Sequence, residues 1–256
     1  MTISVHQYLC LTDNYGALAH DSLTGATACV DVPEAAPTFA ALAERGWTLS
    51  DILITHHHAD HIQGVPELKA KFPSVKIWGP ARDAARLPFL DHKVAEGDCA
   101  RIGSVVAKVI ETPGHTLGHV AYHFEEDEIA FCGDTLFSLG CGRVFEAPYA
   151  VMWSSLLKLA ALPGGTRLYC GHEYTQANGR FAATVEPANP VLKARIEEVA
   201  RLRAESRPTV PTTVAAELAA NPFLRAEEPS VQAAVGMGGA DPAAVFAELR
   251  ARKDRF

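Results

Sequence analysis

Residues Thr55-His56-His57-His58-Ala59-Asp60-His61 place four imidazoles and a carboxylate within one short segment. Imidazole and carboxylate together suit zinc, iron or manganese, and a carboxylate among histidines suggests a catalytic site, whereas closed structural zinc sites lean on cysteine. His56 and His58 alternate, so on extended backbone both rings can face one side. The segment begins where the apolar run Asp51-Ile52-Leu53-Ile54 ends, and a strand end is a rigid platform from which a loop can aim several side chains at one point. One cluster cannot complete two metal shells. Three further candidates are His115 in Thr112-Pro113-Gly114-His115-Thr116, Asp134 in Cys132-Gly133-Asp134-Thr135, and His172 in Cys170-Gly171-His172-Glu173. Each follows a β-rich run, and each has a glycine just before it that lets the backbone turn sharply. Spacing alone leaves each of these three about as readily structural as ligating. Their shared order of strand, glycine and ligand is the more specific signal.

The elements that must hold these residues read as two kinds. Up to about residue 172, strands are expected at Ile3 to Leu9, Ala26 to Val32, Asp51 to Thr55, Val75 to Trp78, Val105 to Thr112, Val120 to Phe124, Ile129 to Cys132 and Arg167 to Cys170. Helices are expected at Pro37 to Arg45, stopped by Gly46, at Val65 to Phe72, stopped by Pro73, and at Ala150 to Leu162, stopped by Pro163-Gly164. Beyond Gly171 the strand signals thin out. Asn189 to Arg207, Thr212 to Ala220 and Asp241 to Arg252 read as helices, the last opened by the Asp241-Pro242 cap and first-turn pair. The expectation is an α+β domain followed by a smaller all-α one, divided as 1–173 and 174–256.

Composition narrows the class. The chain has 256 residues, 48% hydrophobic and 21% charged, which suits a folded globular protein. No stretch approaches the roughly 18 uncharged apolar residues of a membrane span, and the N-terminus lacks a secretory pattern. Six scattered cysteines without a C-x-x-C pair fit buried thiols in a reducing compartment, so the expected location is the cytoplasm. A net charge of -7 argues against nucleic-acid and anionic-membrane partners. The end of the chain is locally basic, with Arg250, Arg252, Lys253 and Arg255 around Asp254. Spacing alone divides evenly between a solvated tail and a binding site.

With these residues in view, the chain resembles the metallo-β-lactamase superfamily, whose T-H-x-H-x-D-H motif stands here as Thr55 to His61. Within it the chain is most similar to the hydroxyacylglutathione hydrolase (glyoxalase II) family. That similarity runs through Leu11 to Tyr15, Pro113 to Thr116, Gly133 to Thr135, Gly140 to Arg143, Gly171 to Thr175 and Asn221 to Arg225. It implies an αββα sandwich followed by a helical domain that helps to bind glutathione. It implies two divalent metal ions, zinc first, with iron or manganese as alternatives. By position, His56, His58 and His115 would hold one ion, Asp60, His61 and His172 the other, and Asp134 would bridge both. His57 falls at the variable position, and His119 reads as a structural neighbour of the ligands.

The implied reaction is hydrolysis of S-D-lactoylglutathione to D-lactate and glutathione, the second step of methylglyoxal detoxification. A water bridging two ions loses a proton near neutral pH and is aligned for attack. The leaving thiol has an ordinary pKa of about 8.5, so a dedicated strong acid is less necessary than for an amide. Asp60 is expected to orient the nucleophile as well as to ligate, with Asp134 as the second catalytic carboxylate. The resemblance places Arg143, Tyr174, Arg250 and Lys253 around glutathione, with Arg250 and Lys253 on one helix face. Position 143 is often Lys in related enzymes, and Phe145 stands where a Tyr often contacts glutathione, a loss of one hydrogen bond worth roughly 0.5–1.5 kcal/mol. The expected partner is a small thioester bound by a monomer. The rival readings are a lactonase or β-lactamase of the same superfamily, an iron-dependent persulfide dioxygenase, and a catalytically silent metal-binding protein.

Overall fold

The computed structural model describes residues 2–256 and divides the chain into two units. The first comprises residues up to Glu111 together with Thr116–Gly133, and the second Thr112–His115 together with Asp134–Phe256.

In the first unit, β1 (Ile3–Cys10), β2 (Asn14–Asp21), β3 (Thr27–Val30), β4 (Asp51–Leu53), β5 (Lys76–Pro80) and β6 (His92–Val94) form one sheet in sequence order. The pairs from β1 to β3 are antiparallel and those from β3 to β6 parallel. Parallel strands covered on both faces need continuous apolar runs, which is why Ile52, Leu53 and Ile54 are all fully buried. Helices α1 (Ala35–Arg45) and α3 (Val65–Lys71) contribute Leu42 and Leu68 to the core against this sheet, beside Leu18, Ile52 and Ile77. Between them the single turn α2 (Ala59–Ile62) starts directly after His58. The strands β7 (Cys99–Ile102), β8 (Val105–Glu111), β9 (Val120–Phe124) and β10 (Ile129–Gly133) form an antiparallel succession of neighbours.

The second unit holds the hairpin β11 (Leu136–Phe137) and β12 (Gly140–Cys141), then α4 (Tyr149–Ala160), β13 (Arg167–Cys170), α5 (Thr175–Val185), α6 (Pro190–Ala204), β14 (Thr212–Thr213), α7 (Val214–Ala220), α8 (Pro229–Ala234) and α9 (Pro242–Asp254). The Asp241 side chain caps α9 by accepting from the Ala243 N–H, with Pro242 in the first turn, as its sequence leads one to expect. Asn189-Pro190 does the same for α6. Phe181, Phe223, Phe246 and Trp153 form a row of ring contacts at centroid spacings of 5.8, 6.1 and 5.7 Å that joins α5, the 221–225 turn, α9 and α4.

Two buried polar hubs fix the loops of this unit. Glu217 accepts from the Leu139 N–H, the Thr212 hydroxyl and the Asn221 amide, while Asn221 donates to the carbonyls of Phe137 and Gly140. The helical segment thereby holds the hairpin between Leu136 and Cys141, where Leu139 sits at a φ of 57°. The second hub is Glu186, which takes two hydrogen bonds from the Arg225 guanidinium and one from Ser230. Burial alone would raise the Glu186 pKa, but these donors bring it below the ordinary 4.5. A carboxyl whose folded pKa is depressed stabilises the fold above its unfolded pKa and loses that contribution as pH falls through the folded value. Arg225→Ala is therefore expected to destabilise the protein by roughly 1.5–3 kcal/mol at neutral pH. The gap from the unaltered protein should shrink below about pH 4. Urea unfolding at both pH values checks this; a pH-independent gap would mean the ion pair is not its source.

Candidate metal centre

The first unit presents His56, His58, Asp60 and His61 just past β4, at the carboxyl end of a parallel strand where open α/β sheets place their ligands. Asp31, immediately after β3, governs their orientation. Its Oδ1 accepts the Thr55 N–H at 2.8 Å, and its Oδ2 accepts both the Thr55 hydroxyl and His61 Nδ1 at 2.8 Å. Because the Thr55 hydroxyl gives its hydrogen to Asp31, its oxygen must accept from His56 Nδ1, 3.0 Å away. The bookkeeping leaves the lone pair of His56 on Nε2, 3.1 Å from His58 Nδ1. His61 spends its Nδ1 hydrogen on Asp31, so its Nε2 lone pair stands 3.6 Å from the carboxylate oxygen Oδ2 of Asp60. Asn14, within the Leu11–Tyr15 motif, donates from one amide to both the carbonyl and Oδ2 of Asp60. His119 stacks on His56 at 4.9 Å.

The second unit brings His115, Asp134 and His172 together. His115 Nδ1 donates to the Arg143 carbonyl at 2.9 Å, which leaves its Nε2 lone pair 3.4 Å from Asp134 Oδ2. The same oxygen lies 3.3 Å from His172 Nε2. The His172 ring stacks on Tyr174 at 4.6 Å and 5°, with Phe137 edge-on to both. Gly114 and Gly133 hold φ of 149° and 46°, so the glycine before His115 and the one before Asp134 each meet a backbone need. A Cβ on Gly133 would also stand 2.7 Å from Thr55 Oγ1 and His119 Nε2.

Each unit thus aims imidazole lone pairs at carboxylate oxygens. Acceptor facing acceptor is repulsive unless a proton or a cation lies between, and outer hydrogen bonds that fix the imidazole tautomer are how proteins prepare histidine for metal. The residues fit divalent metal. Asp31, His56 and His61 also place ligand atoms within 4.8 Å of one another, but both oxygens of Asp31 already accept hydrogen bonds, which marks it as an orienting group.

The expected substrate residues all lie in the second unit. Arg143 is 66% exposed in its side chain, with Nε 3.8 Å from Asp254 Oδ1. Arg250 is only 4% exposed, donates to the Cys141 carbonyl at 2.8 Å and to Asp254 Oδ1 at 2.9 Å, and lies over the Phe223 ring. Lys253 is half-buried near the rings of Phe181 and Phe256 and donates to the Ala177 carbonyl. Burial first, then the charges of Arg250, Arg180 and Arg143, lower its pKa, with Asp254 opposing. Phe145 is 60% exposed, its ring 5.2 Å from that of His115.

Sequence reasoning missed three features. Asp31 gave no spacing signal beyond a lone carboxylate at the end of an apolar run. Arg180, one turn beyond Ala177 on α5, completes the charge cluster around Lys253. The backbone carbonyl of Arg143, which orients His115, is a contact that no side-chain motif encodes.

A family model described as the metallo-beta-lactamase superfamily matches residues 27–172, and one described as hydroxyacylglutathione hydrolase C-terminus matches residues 173–256. A hydroxyacylglutathione hydrolase from Rhodopseudomonas palustris (strain BisA53) is 57% identical over 100% of both chains. The chain belongs to the hydroxyacylglutathione hydrolase family. A second member, from Nitrobacter winogradskyi, is 56% identical over 100% of both chains. Among solved structures, the B3 metallo-beta-lactamase BLEG-1 shares the fold at a TM-score of 0.66 and 21% identity, covering 86% of this chain and 99% of its own. The metallo-β-lactamase fold with an added helical segment is therefore the architecture here, as the sequence suggested. The superfamily is one of divalent-metal proteins, in keeping with the His/Asp cluster. No helix of the described residues is long and apolar enough to cross a membrane.

Proposed function

We propose that the chain hydrolyses S-2-hydroxyacylglutathione thioesters, converting S-D-lactoylglutathione to D-lactate and glutathione in methylglyoxal detoxification. The observation that carries this reading is the construction of the second unit. Arg143 orients the ligand His115 through its carbonyl, while its guanidinium shares Asp254 with Arg250 beside Lys253. Metal ligands and a cationic patch suited to an anionic thioester thus belong to one piece of structure. Full-length relatives that carry the hydrolase name support it.

By the family pattern, His56, His58 and His115 would hold one divalent ion, Asp60, His61 and His172 a second, and Asp134 both. Zinc is the first choice, with iron or manganese as alternatives. When bound, such ions supply an acidified water and a Lewis acid for the thioester carbonyl. Asp60, held by Asn14, would orient the attacking water and take its proton. The leaving thiolate, with an ordinary pKa of about 8.5, departs without a strong acid. Arg143 and Lys253 would bind glutathione carboxylates, Tyr174 would line the same side, and buried Arg250 would act as a fixed charge and an anchor. Phe145 offers an apolar ring where a hydroxyl would otherwise donate. Residues 1–173 would form the catalytic part and 174–256 the glutathione-binding part, in a cytoplasmic monomer that needs no nucleic acid or membrane.

Release of glutathione from S-D-lactoylglutathione, measured with metal content per chain and against lactones, β-lactams and oxygen uptake with glutathione persulfide, tests the reading. No thioester turnover by metal-loaded protein would overturn it. Replacing both Arg143 and Lys253 by glutamine is expected to raise KM about 10- to 100-fold, the equivalent of one or two charge-assisted hydrogen bonds, while kcat stays nearly unchanged. A lowered kcat at unchanged KM would remove these residues from substrate binding.

A further inference from the structure

His57 is the one histidine of the 56–58 run that the metal assignment leaves over, and its surroundings give it a definite task. Its Nδ1 lies 2.8 Å from Asp83 Oδ2, and Arg86 Nη1 lies 3.0 Å from its Nε2 and 3.4 Å from its Nδ1. A carboxylate only accepts, so the ring hydrogen on Nδ1 goes to Asp83, while a guanidinium nitrogen so near both ring nitrogens lies against the face of the ring. One edge and one face of the ring are thereby held. Arg86 also approaches Asp83 itself, at 3.8 Å, closing a three-membered line. Asp83 is almost wholly buried, in the 3₁₀ turn after β5, and the backbone of Gly118 lies directly against its carboxylate. Gly118 precedes His119, whose ring stacks on His56. One buried carboxylate therefore touches the histidine segment from two directions, through His57 and through the 118–119 turn.

We propose that His57 is a positioning residue, the pin by which Asp83 and Arg86 hold the His56–His61 segment in its metal-receiving form. The ring of His57 meets that of His58 edge-on at 5.0 Å and 71°, so the pinned ring also limits how His58 can turn. Loss of the pin lets the segment relax, and metal affinity falls because the ligands must be ordered at the moment of binding. The inference rests on the metal reading given above and adds a residue to it that touches neither metal nor substrate.

The test uses the full chain stripped of metal and titrated with Co(II) and Zn(II) against a chromogenic chelator. The Co(II) absorption spectrum and the metal-induced rise in Tm are recorded alongside. His57→Ala is expected to weaken metal binding about 10- to 100-fold, as loss of an outer-sphere partner does, to alter the Co(II) bands and to shrink the Tm rise. His57→Asn, whose amide can donate to Asp83 from nearly the Nδ1 position, is expected to recover much of the affinity and the original bands. Arg86→Gln, at a largely exposed side chain, should shift affinity in the same direction as His57→Ala and serves if the alanine variant does not fold. Unchanged affinity and bands in His57→Ala, or in Arg86→Gln where it stands in, overturn the proposal. So does an Asn variant no better than the Ala one. A Tm lowered equally with and without metal would show a merely structural role. If the unaltered protein binds no Co(II) or Zn(II), it is the metal reading itself that fails.

Discussion

Asp134→Ala is expected to cut thioester hydrolysis by more than the roughly 10²-fold that loss of an outer-sphere partner costs, and to lower the metal bound per chain. The reason lies in the geometry of the second unit. One oxygen of Asp134 stands 3.3 and 3.4 Å from the Nε2 atoms of His172 and His115. The His115 tautomer is set from behind by the Arg143 carbonyl, so its lone pair must face that oxygen. Removing the carboxylate deletes the only negative charge in this trio. Asp134→Asn, which keeps the shape and loses the charge, should fall nearly as far, because charge and not volume binds a divalent cation there. kcat/KM on S-D-lactoylglutathione and metal per chain by plasma emission are the measurements. An alanine variant with full metal content and ordinary turnover would show that Asp134 is no ligand.

The second large effect belongs to a residue outside every motif. Asp31→Ala leaves the Thr55 N–H, the Thr55 hydroxyl and His61 Nδ1 without their acceptor in a buried place. Each such loss costs about 1–3 kcal/mol, and because local relaxation returns part of the sum a total of about 3–5 kcal/mol is expected, much of the 5–15 kcal/mol that usually holds a fold together. For a chain of this size that corresponds to a fall in Tm of roughly 10 °C. Metal affinity should drop with it, because His61 loses its tautomer and Thr55 no longer fixes His56. Melting curves of metal-free and metal-loaded protein separate the two effects. A metal-free variant that melts with the unaltered protein would contradict the hub assigned to Asp31.

How much of this could be read from residue order depended on whether the cause was local. β4 was legible because a strand buried on both faces needs Ile52, Leu53 and Ile54 in succession. The dense run of His56, His58, Asp60 and His61 was legible after a strand end, and His115, Asp134 and His172 as a grammar of strand, glycine and donor, though only the family resemblance joined the seven into one expected ligand set. β2 was not legible, since Asn14-Tyr15-Gly16-Ala17-Leu18-Ala19-His20-Asp21 has weak strand propensity. It is a strand because all eight residues pair with β1, and Gly16 makes room under the Tyr8 ring. α5 was passed over for a similar reason. Thr175, Asn178 and Gly179 are poor helix formers, yet Phe181, Ala182 and Val185 bury one face of it. Thr212 and Thr213, expected to begin a helix, pair instead with β13, and α7 starts at Val214. Asp31 escaped notice because its partners lie 24 and 30 positions along the chain. The basic end was legible as charge but not as placement: Arg250 spends its donors on Cys141 and Asp254, a fact set by the packing of α9.

The polar hub of Glu217 and Asn221 bears on how this family can be recombined. These side chains hold the hairpin from Leu136 to Cys141, and Arg250 holds the carbonyl of Cys141 two residues before the one that orients His115. A chimera that exchanges everything after residue 173 for the tail of another superfamily member would change more than the substrate end. It would also change the mould in which the loop that orients His115 is cast. Transplanted specificity should therefore succeed only when hairpin and tail travel together.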